Sequence, residues 1–294
     1  MPYLPQGATL HSLATFLHRS SGARSVSASC LRYYGLLPSQ LEVANPSGLG
    51  AQHLATEFLG GIPSGIELIR RHTLIGLYGS VMHEAWWGNL SVAKVAKGNS
   101  YSQWVSRHLM HGPLSWCPDC FKEDIDRYGW APWRVVHQPC FVHHCPEHGT
   151  ALLSICAQCN EPLGCVRWRL PGDSCRKCKS NSFRPAFIVE QSRGYQRMLR
   201  ALLRMNGAMI SGGFIPTIKS GLYPALWGRE YEKLAQLSIE QLAADWACSE
   251  INLSIPKQLG FDEQLDPIQF SMWHPDHASP LAIVLLTSLL SQFE

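Results

Sequence analysis

Charge is scarce in this 294-residue chain: Asp, Glu, Lys and Arg make up 16% of it, against roughly a quarter in ordinary soluble domains. A net charge of +3 argues neither for nor against a nucleic-acid partner. Long apolar runs are missing too. No stretch reaches the roughly 20 residues that a membrane-spanning helix needs, and Pro280 to Leu290 reads as a core helix. The first ten residues lack a basic region followed by an apolar one, so no secretory leader is expected. The expected location is the cytoplasm, where thiols stay reduced. There is no phosphate-cradling glycine loop, no nucleophile-elbow serine and no low-complexity segment. Without a catalytic constellation, an enzyme is not expected. Asp124 and Asp126 read as solvated acids on a surface turn.

Cysteine, by contrast, is abundant. The chain has eleven, and nine of them fall between Cys117 and Cys178. In a reducing compartment they need an explanation other than disulfides. Four pairs share one spacing: Cys117-Pro-Asp-Cys120, Cys145-Pro-Glu-His148, Cys156-Ala-Gln-Cys159 and Cys175-Arg-Lys-Cys178. Two intervening residues let both side chains face one ion across a tight turn, and tetrahedral zinc takes two such pairs. Gly149 and Asn160, each following a second ligand, tolerate the positive φ that such a turn requires. Sequential pairing gives one site of Cys117, Cys120, Cys145 and His148, and another of Cys156, Cys159, Cys175 and Cys178. Interleaved pairing is the alternative. Both sets close at four protein ligands, so two structural Zn2+ ions are expected. Cys140, His137, His143 and His144 lie nearby in sequence and read as packing or surface residues, or as a substitute ligand. Cys30, Cys165 and Cys248 read as core or surface residues.

Around this region the pattern is helical. Leu10, Leu13, Phe16 and Leu17 recur at helical spacing, with Thr9 as a cap. Leu54, Phe58 and Leu59 repeat it. Ile66, Ile69, Leu74, Leu77 and Tyr78 do so again, after a Pro63-Ser64-Gly65 turn. Short helices joined by Gly and Pro turns fit a helix-turn-helix bundle, and equally any small helical domain. Helical patterns return after Phe183: Tyr195, Met198, Leu199, Leu202 and Leu203 lie on one face, with Arg193, Arg197, Arg200 and Arg204 along another. Further helices are expected at Leu234 to Leu237, Ile239 to Trp246 and Leu281 to Leu290. The fold class is therefore mainly α with small zinc-stabilised β and turn elements. It divides into an N-terminal helical, helix-turn-helix-like domain (1–112), a tandem zinc-finger or ribbon region (113–182) and a C-terminal helical domain (183–294).

Charge is unevenly spread. Residues 165–204 hold ten basic side chains against two acids, a net of +8, whereas residues 227–277 carry a net of −6. Different partners for the two segments follow naturally. Arg167, Arg169, Arg176, Lys177 and Lys179, with Trp168 available to stack, are read as a nucleic-acid-binding face around the second metal site. A merely solvated face is the competing reading.

Together these residues resemble the TniQ family of transposition target-selection proteins, which includes TnsD-like members. The likeness rests on Cys117-Pro-Asp-Cys120 with Trp130, Trp133 and Arg134 downstream, on Cys145-Pro-Glu-His148-Gly149 with Leu152-Leu153, and on the following Cys156 to Cys178 ribbon. The N-terminal part adds Leu4-Pro5, Leu13 to Arg19, and Glu67 to Tyr78 around Arg71-His72-Thr73-Leu74. The resemblance implies an adaptor that marks an insertion site and hands it to an AAA+ ATPase. The site is found either by direct DNA binding or through a guide-RNA effector complex of a CRISPR-associated transposon. The chain is short for a TnsD-like reader, which favours the second kind, and in some such systems the adaptor is a head-to-tail homodimer. A freestanding sequence-specific DNA-binding regulator is the competing function, and a structural interaction module a third.

Overall fold

In the computed structural model the described residues are 5–22, 25–36, 50–80, 113–163 and 168–212. The helices expected beyond residue 212, together with Cys165, Arg167, Cys248 and the −6 segment, lie outside them. The chain forms two compact units. One comprises Met1–Leu77 and Leu90–Ile188, the other Tyr78–Asn89 and Val189–Glu294. The described part is mostly helical with one small two-stranded sheet, as the sequence pattern implies. Among the described residues no helix is long and apolar enough to cross a membrane.

The first unit opens with α1 (Leu10–Ser20). Thr9 caps it: its hydroxyl accepts the Ser12 amide at 3.2 Å, satisfying one of the donors that a helix start leaves orphaned. Leu10, Leu13 and Ala14 form its buried stripe. Helix α2 (Val26–Tyr34) ends at Gly35 in the left-handed region. Its two tyrosines reach back to α1, Tyr34 donating to the Leu10 carbonyl at 2.8 Å and Tyr33 to that of Leu17 at 3.2 Å. Helix α3 (Ala51–Phe58) starts at Gly50, where φ is +77° and an added Cβ would sit 2.7 Å from that of Tyr34. Only glycine meets both demands.

The apolar pattern from Ile66 to Tyr78 is realised as two helices, α4 (Gly65–His72) and α5 (Leu74–Gly79). A capping box between Ser64 and Glu67 starts the first. Thr73 divides them. Its backbone is extended, its hydroxyl donates to the Ile69 carbonyl at 2.7 Å, and the same oxygen accepts the Gly76 amide at 3.2 Å. The side chain thus ends one helix and caps the next. At Gly76 a Cβ would lie 1.9 Å from the Arg70 carbonyl oxygen, so α5 folds back on α4 only with glycine there.

These helices dock on the cysteine-rich region. The Thr9 amide donates to the Trp133 carbonyl at 2.8 Å and the Val135 amide to that of Gly7 at 2.7 Å, an antiparallel bridge between Ala8 and Arg134. Trp133 is fully buried. Its amide donates to the Ser12 hydroxyl and its indole N–H to the Arg169 carbonyl, both at 2.7 Å. Phe16 packs on Trp130 with ring centroids 4.5 Å apart. His72 donates from Nδ1 to the Ala8 carbonyl at 2.8 Å, and Arg19 forms an ion pair with Asp173. The N-terminal helices and the cysteine-rich region therefore share one compact unit.

His11, at the centre of this junction, is buried with Nε2 unpartnered. Burial pushes its pKa from 6.5 down to about 4. The unfolded chain therefore takes up a proton on this ring between pH 6.5 and 4 that the folded chain refuses, and stability falls as pH drops through that window. Over the full window this ring contributes a loss of roughly 3 kcal/mol. His11→Phe removes the titration without leaving a polar atom buried. Urea unfolding from pH 7 to 4.5 should show a shallower decline for the variant; parallel curves would refute the assignment.

Candidate metal centres

Helix α6 (Pro118–Tyr128) carries half of the first site. Cys117 is its N-cap, Pro118 fits the first turn, where the missing N–H is not needed, and Cys120 sits one turn in. Both sulfurs lie at the positive end of the helix, which favours thiolate. Cys145 and His148 come from a knuckle. The Cys145 amide donates to the Thr150 carbonyl at 2.8 Å and the Gly149 amide to the Cys145 carbonyl at 2.8 Å, with Gly149 at φ +67°.

The second site repeats that knuckle twice. The Asn160 amide donates to the Cys156 carbonyl at 3.0 Å and the Lys179 amide to the Cys175 carbonyl at 2.9 Å. Asn160 and Lys179 have φ of +59° and +64°. Asn160 follows from the sequence; Lys179 was missed, since lysine gives no sign of a left-handed backbone. Strands β1 (Ile155–Cys156) and β2 (Phe183–Arg184) pair antiparallel around the site, Cys156 opposite Phe183. Trp116, Trp133 and Leu114 form a small core beside it, with Phe121, Leu153, Leu163 and Phe183 packed against them.

The ligand atoms converge as sequential pairing requires. Cys117, Cys120, Cys145 and His148 form one cluster and Cys156, Cys159, Cys175 and Cys178 another, all ligand atoms of each within 4.8 Å of one another. In the first, His148 Nδ1 lies 3.7, 3.3 and 3.5 Å from the sulfurs of Cys117, Cys120 and Cys145, and Cys120 is 3.6 Å from Cys145. In the second, Cys156–Cys178 and Cys159–Cys175 are each 3.5 Å apart. A disulfide needs about 2.05 Å. Sulfurs around tetrahedral zinc at about 2.3 Å lie roughly 3.8 Å apart. The observed edges are those of a metal tetrahedron, slightly contracted. Charge says the same: three or four thiolates this close repel one another unless a cation sits among them. The backbone amides of Cys178 and Lys177 hold the Cys175 thiol down at about 6, ready for a metal. Both tetrads are positioned to bind structural zinc, and neither leaves a ligand position open.

A polar shell fixes the first tetrad. His148 Nε2 meets Glu123 at 3.0 Å, and the Thr150 hydroxyl donates to Asp119 at 2.6 Å. Arg134 bridges both halves of the site. It grips Asp124 on α6 through two bonds of 3.0 and 3.1 Å and Glu147 of the knuckle at 2.6 Å. Asp124 is only 4% exposed, which corrects its reading as a solvated acid. It lies one turn beyond Cys120 on the same helical face, and that spacing is the signal that pointed inward.

His137, on a short turn at Val135–His137, is buried with Nε2 3.4 Å from the Cys145 sulfur and 3.8 Å from that of Cys120. Nδ1 has no partner, so the ring proton belongs on Nε2, donating to the thiolates. His137 is thus an outer-shell donor, while His148 faces all three sulfurs. Such donors typically support metal affinity by 10- to 100-fold. His137→Phe is expected to weaken first-site zinc in chelator competition by about that factor, with His137→Gln, which keeps a donor, falling less. Equal affinities for all three proteins would dismiss the role. His143 instead packs on Phe187, ring centroids 5.6 Å apart. Cys140 and His144 stay outside both clusters, and Cys30 is buried among the N-terminal helices.

The residues read as a nucleic-acid face fare unequally. Arg176, Lys177 and Lys179 are exposed on the last knuckle. Trp168 is buried against His11 and His18, with ring centroids 6.2 and 5.2 Å away, and is not presented for stacking. Arg169 is half-buried and bonds the Ser174 carbonyl. Arg167 lies outside the described residues.

A zinc-bearing helical protein with a Cys3His site built on a helix N-terminus defines the class. The TniQ family profile matches residues 6–152, half of the chain, and the chain belongs to the TniQ family. That family serves target selection in transposition. The match takes in the N-terminal helices and the whole first tetrad, and ends before Cys156. No curated protein matches the chain.

Proposed function

We propose that this protein does no chemistry and acts as a target-selection adaptor. It would link a DNA-targeting complex, either a guide-RNA effector or a DNA site, to the AAA+ ATPase that regulates transposition. Family membership carries the reading. Two four-ligand metal sets with no open position support a structural rather than catalytic use of zinc. The docking of α1 on the first metal site through Trp133 and Arg134 supports a rigid body, which an adaptor needs to hold two partners at fixed separation.

Within that reading the parts take roles. Residues 1–112 supply partner or DNA contacts, with α3 and α4 as the helix-turn-helix pair. Residues 113–182 form the zinc-stabilised core, and residues 183–294 complete the adaptor. Arg176, Lys177 and Lys179 face nucleic acid, and two copies act as a homodimer. The test is reconstituted transposition with cognate ATPase, transposase and targeting complex. Omitting the protein should abolish site-directed insertion while leaving strand transfer intact. Directed insertion at full efficiency without it, or DNA cleavage by the protein alone, would end the adaptor reading. Tight, partner-free binding to one DNA sequence would favour a freestanding regulator instead.

A further inference from the structure

The two tetrads differ in how far solvent reaches their sulfurs. In the first, Cys117, Cys120 and Cys145 are all buried, and only the histidine ligand, His148, is exposed. His137 adds a second barrier, its Nε2 lying 3.4 Å from the Cys145 sulfur and 3.8 Å from that of Cys120. A donor held against a thiolate ties up the electron pair with which it would attack. In the second tetrad Cys178 is exposed and Cys159 half-buried. Four thiolates outweigh one zinc dication by two charges, three by only one, so the second set is also the more electron-rich.

The surroundings of Cys178 sharpen the contrast. It stands between Lys177 and Lys179, with Arg176 just before them, and all three cations are exposed. An accessible thiolate among cations is the setting in which cysteine reacts with oxidants. A second sulfur is at hand: that of Cys156, itself buried, lies 3.5 Å from that of Cys178. A disulfide at about 2.05 Å asks the two to close by roughly 1.5 Å.

We propose that Cys178 is a site of reversible oxidation by peroxide, with Cys156 as its resolving thiol, and that the second tetrad thereby gives up its metal while the first keeps its own. The Cys178 sulfur attacks one peroxide oxygen. The O–O bond breaks, hydroxide leaves, and the sulfur becomes a sulfenic acid. The Cys156 sulfur then attacks that of Cys178, the S–S bond forms, the S–O bond breaks, and a second hydroxide leaves. Two thiolates have given two electrons to one peroxide, and two solvent protons complete two waters. Prompt resolution keeps Cys178 from the irreversible higher acids. The tetrad drops from four thiolates to two and no longer holds its ion. The new bond crosses from the first knuckle to the second, so the halves of the ribbon stay tethered for repair by a thiol reductant. Meanwhile the knuckle that presents Arg176, Lys177 and Lys179 loses its fixed geometry. This goes beyond the adaptor reading and rests on the metal assignment alone.

The test uses the full zinc-loaded chain, its zinc content measured first, then treated with graded hydrogen peroxide beside a chromogenic chelator. One ion per chain should appear at concentrations that leave the other in place. Digests without reductant should contain Cys156 linked to Cys178, and dithiothreitol with added zinc should restore the starting content. Cys178→His keeps a four-ligand set without the exposed thiol, and its second-site ion should leave several-fold more slowly. Release of both ions together, earlier loss from the first tetrad, absence of the Cys156–Cys178 link, or an unchanged rate in zinc-loaded Cys178→His would each overturn the proposal. Should that variant purify without its second ion, isotope-coded alkylation of the wild-type chain decides. Among the seven ligand cysteines, Cys156 and Cys178 must be the first to become unreactive, and any other order refutes the assignment. Zinc content before oxidation judges the metal sites and insertion judges the adaptor, so each can fail without the others.

Discussion

Cys178→Ser is expected to release one zinc and unfold the second metal region. Strands β1 and β2 have two residues each, far too short to hold a sheet without help. Cys178 is exposed, and burial contributes little at its position. The metal must therefore hold the Cys156–Cys159 knuckle against the Cys175–Cys178 knuckle. Binding free energy at such a site is folding free energy, roughly 10 kcal/mol or more. Zinc content should fall by one ion per chain. Limited proteolysis should open residues 155–184, while Cys117, Cys120, Cys145 and His148 keep their ion. A variant that retains both ions and the wild-type melting profile would show that Cys178 is not a ligand.

Arg134→Ala should cost about 3–5 kcal/mol, because it strands a buried carboxylate. Arg134 and Asp124 have side chains 17% and 5% exposed, so their bidentate pair is largely out of water. The same guanidinium reaches Glu147, between the two knuckle ligands. Removing it unpairs Asp124 and loosens α6 from the knuckle in one step. Replacing both partners by leucine should recover much of the loss, since a buried ion pair stabilises little over an apolar pair of similar size. Urea unfolding at saturating zinc checks both variants. A loss below about 1 kcal/mol in Arg134→Ala would place this pair among ordinary surface ion pairs.

The metal centres were the most legible part of the chain. Ligand spacing is local information, and a turn of two residues between ligands leaves little freedom. The positive φ at Gly149 and Asn160 could be read for the same reason. Thr9 was legible as a cap because capping also acts over three residues. What escaped was set by distant contacts. Asp124 became an interior residue through Arg134, ten positions away. Trp168 turned inward onto His11 and His18 of α1. The bridge from Ala8 to Arg134 leaves no periodic trace at all, since one backbone pair needs no pattern. The break at Thr73 was masked because α4 and α5 together preserve a helical apolar rhythm.

Elemental analysis of the full chain, purified without chelator, tests the account most directly. Two closed tetrads predict two zinc ions per chain. One ion would contradict the ligand assignment, and none would remove the metal framework on which the rigid adaptor rests.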